Sequence, residues 1–375
     1  MQGQYAVFIR SKDGTLTERL NEFASLDILM TLNDPGSWNI RSTSAEKCPF
    51  SAGDGIVVVR NGVFLYGGVM TQLSDDYDAH MRLHTWQAQG KGDLEYLGRR
   101  ICYIDPETGM TDQATHYTAT GSLGTVIHDL IRLNAGSDAM AERVEPIIED
   151  NTQNVGPTVS VSLRLPNLLK TVTALVSGNG WNIRPNWDEE NSKVFYQVFQ
   201  GRDLTEQIVF SEQFSNLLSS EHLETQPAGN FILAGGTGQG TERSFDTAQS
   251  DESISEWGRI EVFQDARNQP DVETYVEEVL ADKTADTVGY SCTASDDDLT
   301  PQFGTDFVLG DFVGMMVFGQ FITAEVQQCE ISLSEGVETI TPRFGTVAIG
   351  KLRSIFQQLA DLRGDIDELL GSEVE

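Results

Sequence analysis

The sequence predicts a mainly β protein with an α+β middle, in which two similar β-barrel domains are followed by a C-terminal heptad helix. Three observations predict this class. A short stretch rich in glycine and β-branched residues begins at Gly53, and a similar stretch begins at Gly310. Between them lie segments whose apolar residues have helical spacing. Near the C terminus, apolar residues recur at alternating steps of 4 and 3 residues, the spacing of a coiled coil.

The two similar stretches are GDGIVVVRNGVFLYGGV at 53–69 and GDFVGMMVFGQFITAEV at 310–326. In the first, Asn61-Gly62 separates two β-branched and aromatic runs and suits a type I′ hairpin turn. Aligned without a gap, the stretches share five identical positions, where average residue usage gives about one. We therefore expect two equivalent hairpins, with these identical pairs: Gly53/Gly310, Asp54/Asp311, Gly62/Gly319, Phe64/Phe321 and Val69/Val326.

The first barrel is predicted to cover residues 1–102. Strands are expected in QYAVFIR and SWNIRS before the hairpin, and in residues 80–89 after it, where apolar and polar residues alternate. The domain is expected to close near a short helix in GDLEYLGRR.

Residues 103–205 are predicted to form an α+β domain. Ser122 is suited to cap a helix whose apolar residues, from Val126 to Ile131, lie on one face. A second helix is predicted over 167–176, with Gly178 placed to stop it. Strands are expected to follow at 181–184 and 193–200.

The second barrel is predicted over residues 206–346, with a helical insertion near 271–283. Strand patterns return from about residue 207, and the segment from Val272 to Lys283 has apolar residues at helical spacing. The second hairpin and the alternating run ITAEVQQCEISL complete the predicted sheet.

Residues 347–375 are predicted to form a coiled-coil helix. Gly364 interrupts it at a cost of about 1 kcal/mol, so the helix needs a body that already holds the chains together. A terminal amphipathic helix packed on its own domain is the alternative. The predicted seam consists of Ala348, Leu352, Ile355, Leu359, Leu362, Ile366 and Leu369.

The composition is strongly acidic: 57 acidic and 25 basic residues give a net charge of −32. Such a surface repels phosphates and argues against sequence-specific nucleic-acid binding. Seven of the basic residues are lysines, and acidic, lysine-poor composition is typical of a high-salt cytoplasm; a GC-rich genome that favours arginine is the alternative. We expect a soluble, unprocessed chain without a membrane span, because no apolar run reaches roughly 18 residues and residues 1–10 do not resemble a signal peptide.

The candidate chemical motifs predict no catalytic, cofactor or metal site. The run GGTGQG at 235–240 follows a strand, but no apolar helical face comes after it, as a dinucleotide site needs. His80 and His84 share a face without a further nearby ligand, and the acidic runs lack the ligand pattern of a calcium loop. The cysteines Cys48, Cys102, Cys292 and Cys329 lie far apart and are expected to be buried thiols.

Short motifs of glycine, arginine, acidic and aromatic residues occur in FQGRDLTEQIVFSEQFSNL at 199–217, GNFILAGGTGQGTERSF at 229–245 and EWGRIEVFQDAR at 256–267. With these segments the sequence resembles the tail-tip or baseplate hub proteins of long-tailed viruses, a family of minor tail proteins. The likeness spans most of residues 1–346, and Ile260 departs from it where a second charged residue is expected. The matching positions are Gly201-Arg202-Asp203, Asn216-Leu217, Gly235 to Gly240 with Arg243, Arg259 with Glu261 and Phe263, Leu309-Gly310-Asp311, and Pro342 to Gly345.

The resemblance implies a homotrimer whose two barrels per chain form a pseudo-sixfold hub ring. Such a hub joins the hexameric tail tube or a distal tail protein to tip or fibre proteins, and viral DNA passes through it in transit. It is made in the host cytoplasm and resides at the virion tail tip. Some relatives continue into a lytic domain, but this chain ends at Glu375 and no enzymatic activity is expected. The alternatives are a β-rich virion-associated hydrolase and a receptor-binding protein acting on the host cell envelope.

Overall fold

The computed structural model describes residues 4–105, 116–224, 226–238, 242–267, 272–284, 288–294, 301–334 and 336–345. They form a mainly β fold with an α+β middle, as the sequence predicts. The predicted coiled coil at 347–375, with its seam from Ala348 to Leu369, lies outside the described residues.

The strands of the first part are β1 (Tyr5–Arg10), β2 (Leu16–Leu20), β3 (Ser25–Thr31), β4 (Asp34–Ser44), β5 (Gly55–Arg60), β6 (Val63–Asp78), β7 (Leu83–Gly92), β8 (Tyr117–Ser122), β9 (Thr158–Leu163), β10 (Asn182–Asp188) and β11 (Lys193–Phe199). Those that follow are β12 (Val209–Ser211), β13 (Leu217–Glu224), β14 (Phe231–Gly235), β15 (Phe245–Gln249), β16 (Glu261–Asp265), β17 (Val288–Ala294), β18 (Phe312–Val317), β19 (Gln320–Ser334) and β20 (Val337–Gly345). The helices are α1 (Glu95–Gly98), α2 (Leu123–Asn134), α3 (Leu168–Gly178), α4 (Asp251–Trp257) and α5 (Val272–Thr284).

One 13-stranded sheet contains strands from both the first and the last parts of the described residues. Its strand order is β13-β17-β20-β19-β3-β4-β7-β6-β5-β1-β2, with β18 also pairing with β19 and β12 with β18. The pairing of β3 with β19 connects strands that the sequence assigned to separate barrels. The two parts are therefore not independent sheets.

The main core lies under this sheet and is contributed by alternate residues of its strands, because successive side chains of a strand point to opposite faces. In β3, for example, Leu26 and Ile28 are buried while Asp27 between them is not. Aromatic rings fill the centre on both sides of the β3–β19 pairing: Phe210 stacks on Phe344 with ring centroids 4.4 Å apart, and Trp38 stacks on Phe50 at 6.1 Å.

The middle of the chain has a core of its own, formed by α2, α3 and the β10–β11 hairpin. The Ser122 hydroxyl accepts a hydrogen bond from the Thr125 amide at 3.3 Å, and the Asn167 side chain accepts one from the Lys170 amide at 3.1 Å. Both helices thus begin where the sequence predicts, and α3 ends at Gly178.

A third core belongs to a small module between β13 and β17, hereafter the insertion module (β14, β15, β16, α4 and α5). Its three-stranded sheet has the order β15-β14-β16. The sequence predicted the strand before the glycine-rich run, which is β14, and the helix near 271–283, which is α5, but not the three-stranded sheet that β14 forms with β15 and β16. The other predicted domain boundaries remain predictions.

A buried ion pair ties the main sheet to the middle of the chain. The guanidinium of Arg10 on β1 donates to the carboxylate of Asp93, and both side chains are 0% exposed. The Asp93 carbonyl accepts a hydrogen bond from the Tyr196 hydroxyl at 3.0 Å. Burial opposes the charged form of Arg10, but the charge and hydrogen bonds of Asp93 outweigh burial and raise the pKa of Arg10.

Candidate functional site

The β5–β6 and β18–β19 hairpins have the same turn. In the first, Asn61 and Gly62 have φ angles of 53° and 79°; in the second, Phe318 and Gly319 have 49° and 74°. Positive φ at both central residues is the type I′ conformation, which matches the twist of the flanking strands. Phe318 takes this conformation although bulky residues rarely do.

The Gly-Asp dipeptide that starts each stretch has the same geometry in both places. Asp54 accepts a hydrogen bond from the Ser51 amide at 2.7 Å, and Asp311 accepts one from the Val308 amide at 2.9 Å. The preceding glycines, Gly53 and Gly310, have φ angles of 91° and 87°. In each copy the carboxylate closes a tight turn immediately before the hairpin.

A one-residue bulge in the first hairpin corrects the gap-free alignment. Val58 pairs with Tyr66 and Val59 pairs with Phe64, so Leu65 is an extra residue. The amide of Met70 donates to the Asp54 carbonyl, just as that of Val326 donates to the Asp311 carbonyl, both at 2.9 Å. Val326 therefore corresponds to Met70, and its predicted match with Val69 is wrong by one residue.

The strands around each hairpin follow one order. The first unit, defined as β3 to β7, runs β5-β6-β7-β4-β3, and the second unit, defined as β13 and β17 to β20, runs β18-β19-β20-β17-β13. All pairings within both units are antiparallel. Thr71 in β6 and Gln327 in β19 are bulge residues opposite β7 and β20. The repeat thus extends from the hairpin to a five-stranded unit.

The units differ in one connection. In the first unit, Leu32 and Asn33 alone link β3 to β4, and Asn33 accepts a hydrogen bond from the Ile183 amide at 2.8 Å. In the second unit, the corresponding link from β13 to β17 contains the whole insertion module. The two similar units therefore differ in what connects their first two strands: a two-residue turn in the first unit and the insertion module in the second.

The two units meet through strand pairing. Antiparallel pairs run from Ser25 opposite Ser334 to Thr31 opposite Gln328. On the core face, Ile28 opposes Ile331, and these side chains are 1% and 0% exposed. We call this contact the internal junction; it consists of backbone hydrogen bonds, one row of buried apolar side chains and side-chain hydrogen bonds on the opposite face.

Most motif residues of the resemblance fall into two places; Asn216 and Leu217 lie where β13 begins, Pro342 to Gly345 end β20, and Gly240 lies outside the described residues. Arg202 pairs with Asp311 at 2.6 Å, next to the point where Gly201 approaches the Gly310 carbonyl so closely that a Cβ would lie 1.6 Å from the oxygen. In the insertion module, Arg243 lies over the rings of Phe245 and Phe263, with centroid distances of 5.7 and 5.5 Å. These residues shape strand ends and a sheet face.

A family model described as Siphovirus ReqiPepy6 Gp37-like protein matches residues 6–346. The chain belongs to this family. The solved structures it resembles include the 43 kDa tail protein of prophage MuSo2 from Shewanella oneidensis, at 11% identity and TM-score 0.58, covering 91% of this chain and 96% of that one. The tail protein from Neisseria meningitidis MC58 is 14% identical, with TM-score 0.54 and coverage of 92% and 97%.

Prophage tail protein gp18 from Listeria monocytogenes EGD-e is also 14% identical, with TM-score 0.52 and coverage of 95% and 98%. The comparison with curated proteins found no match. The predicted resemblance to tail proteins of long-tailed viruses is confirmed by the family match, and the fold is that of viral tail proteins.

The other candidate residues do not converge on a site. His84 lies 2.9 Å from Asp75 and its ring lies beside Tyr77, while His80 is exposed. Within the described ranges, no group of three or more potential ligands could hold a metal ion, and no helix is long and apolar enough to cross a membrane. The predicted burial of Cys48, Cys102 and Cys329 is confirmed.

Sequence reasoning missed β3 and β13, the outer strands of the two units. In β3, SLDILMT places Leu26, Ile28 and Met30 at alternate positions, a signal that would have identified the strand. In β13, LLSSEHLE is largely polar and offers no such alternation.

Proposed function

We propose that this protein is a homotrimeric, non-enzymatic hub at the tail tip or baseplate of the virion. In this role it joins the hexameric tail tube to threefold tip components and forms part of the path of the ejected DNA. The family and the fold support a structural tail protein. The observation that carries the finer role is the repetition of one five-stranded unit within the chain.

Repetition of the unit within one chain allows a threefold ring to resemble a sixfold one. A ring of three chains that each contribute two similar units has six similar units around its axis, although its true symmetry is threefold. One face of such a ring matches a sixfold tube. The same subunits remain compatible with threefold partners.

The attachments on the units support the same role. The insertion module interrupts the second unit only, and the corresponding link in the first unit is the Leu32-Asn33 turn beside the α+β middle. Around a ring of six units, the five-stranded sheet would recur at every unit. The insertion module would recur only at every second unit, because only the second unit of each chain contains it. The body of the ring thus has near-sixfold features and its periphery has threefold features, which suits contacts with a tube or distal tail protein and with tip or fibre proteins.

The net charge of −32 fits a passage for DNA. Acidic walls repel phosphates, so DNA slides through without being held. The predicted seam helices would bundle near the axis and add to the cohesion of the trimer.

The assembly is tested by the mass of the purified protein in molar salt, where screening weakens the repulsion between acidic chains. Light scattering coupled to size exclusion is expected to give three times the chain mass of 41.3 kDa. Negative-stain images are expected to show rings with six lobes. A monomer at micromolar concentration, with no rings in the images, would contradict the proposal.

A further inference from the structure

Each unit has an outer strand and a long strand, and the internal junction joins the outer strand of the first unit to the long strand of the second. Because the units repeat, the strands that correspond to this pair are β13, the outer strand of the second unit, and β6, the long strand of the first. These two strands do not pair with each other in the strand order of the described residues. In the strand order of the described residues, β13 has one neighbour, β17.

The matching part of β6 is also open. Residues 72–78 pair with β7 on one side, while on the other side β5 begins opposite Val69 and no strand of the described chain continues beyond it. In β19 the equivalent side is occupied by β3. An unpaired strand edge is a template for another strand.

The register of this second contact follows from the ladders. In the first unit the cross-strand row through Gln72, Gln89 and Asn39 reaches Asp27. In the second unit the corresponding row through Gln328, Arg343 and Thr293 reaches Ser219. Asp27 therefore corresponds to Ser219, and Ser332, its partner across the internal junction, corresponds to Asp76.

The side chains at these positions fit the same contact. Across the internal junction, the Ser332 hydroxyl donates to the Asp27 carboxylate at 2.7 Å. At the open edges the same two residue types occur with exchanged places, Ser219 on β13 and Asp76 on β6, and both are exposed. A hydroxyl–carboxylate hydrogen bond is thus available again.

Apolar residues next to this pair support the same register. Leu26 of the internal junction is 0% exposed opposite Leu333, and its counterpart in β13 is Leu217, which pairs with Ala294 as Leu26 pairs with Ile40. Leu218 is a bulge residue between Leu217 and Ser219 and is 63% exposed, and Tyr77, the counterpart of Leu333, is 57% exposed. Pairing of the two edges would cover both side chains. The next pair in this register is Ser220 opposite Asp75, in the place of Ile28 opposite Ile331 at the internal junction. This pair is more polar, which is expected of an interface between chains that fold before they assemble.

We propose that β13 of one copy adds antiparallel to β6 of a second copy, with Ser219 opposite Asp76. This inference rests on the proposed trimer and specifies how its chains join. The contact is head-to-tail, since each chain offers β13 to one neighbour and β6 to the other, and a head-to-tail contact that closes forms a ring. Every unit in the ring then meets the next through the same strand pairing.

Disulfide trapping tests the register. Directly opposed residues of an antiparallel pair have Cα atoms about 4.5–5.5 Å apart, within the range that a disulfide spans. After mild oxidation, the double variant Ser219→Cys/Asp76→Cys is expected to run as covalent dimers and trimers on a non-reducing gel and to return to monomers with reductant. The matched control, Ser219→Cys/Asp75→Cys, is one residue out of register, so its cysteines lie on opposite faces of the sheet and should not crosslink.

A second variant does not depend on oxidation. Leu218→Glu adds a charge at the proposed contact without disturbing a buried site, so it is expected to shift the trimer towards monomers by light scattering. Val337→Glu, at a residue 61% exposed in the β19–β20 hairpin, should leave the trimer intact.

The outcomes separate this inference from the proposed function. A trimer that crosslinks neither cysteine pair and withstands Leu218→Glu would overturn the strand pairing while leaving the trimeric hub in place. Crosslinking of the control pair instead would overturn the register. A wild-type protein that is monomeric by mass would overturn both proposals.

Discussion

Because Arg10 and Asp93 form a buried ion pair, replacing Arg10 alone is expected to lower the free energy of unfolding strongly. Replacing Asp93 as well is expected to recover part of that loss. Both side chains are 0% exposed, so solvent screens neither charge. Replacing Arg10 by methionine leaves the carboxylate of Asp93 buried without its cation, which costs about 3–5 kcal/mol in known cases. There is little room for rearrangement, because a Cβ on Gly67 would already lie 2.3 Å from the Asp93 carboxylate.

Adding Asp93→Asn to Arg10→Met removes the unpaired charge and leaves a neutral amide, whose burial costs about 1–3 kcal/mol. The double variant is therefore expected to be more stable than the Arg10→Met single variant, although a second native side chain is lost. Arg19→Met, on an exposed position of the neighbouring strand β2, is the control and should stay within about 0.5 kcal/mol of wild type.

Urea denaturation, followed by tryptophan fluorescence and circular dichroism, measures the free energy of unfolding if both signals change together. Trp187 is a useful reporter, since its ring lies 5.4 Å from the Arg10 guanidinium. A cost below about 1 kcal/mol for Arg10→Met would refute the assignment of a buried, unscreened pair. A double variant as unstable as the sum of its single variants would refute the coupling between the two residues.

Two further predictions concern Glu325 and the C-terminal seam. Burial raises the pKa of Glu325 above its ordinary 4.5, although a hydrogen bond with Asn182 opposes the shift; folding therefore becomes less favourable as pH rises from about 4.5 through the raised pKa. Glu325→Gln should match wild type near pH 4 and become more stable relative to it towards pH 7, and a stability difference independent of pH in denaturation curves would count against this. Ile355→Asp and Leu362→Asp place charges in the predicted heptad seam and should weaken the proposed trimer, as measured by light scattering; an unchanged oligomer would show that the seam packs elsewhere.

Local chemistry accounts for the elements that could be predicted. The Asn61-Gly62 turn, the caps at Ser122 and Asn167 and the periodicity of α5 each depend on residues a few positions apart. Such short-range patterns carry a structural preference whatever surrounds them. The same holds for the repeated glycine-aspartate before each hairpin, whose carboxylate closes a turn within three residues.

The partners of each strand were not predictable in this way. β3 and β19 are separated by most of the chain, and the alternation of Leu26 and Ile28 shows that one face of β3 is buried without showing what it is buried against. The bulge at Leu65 was equally hidden, because one inserted residue leaves the composition of a strand unchanged. Within the insertion module the sequence indicated α5 and the strand before the glycine-rich run, but not the sheet, because β14 to β16 are short and form a core mainly with α5.

The amino-acid sequence by itself determined the hairpins, the helix caps, the acidic surface and the existence of a repeat, because each of these is encoded by neighbouring residues or by bulk composition. Only the tertiary structure decided how far the repeat extends, that β3 joins the two units, and which two strand edges have no second strand within the described residues. Strand pairing is made by backbone groups that every residue carries, so side chains restrict the choice of partner only once the whole sheet has formed.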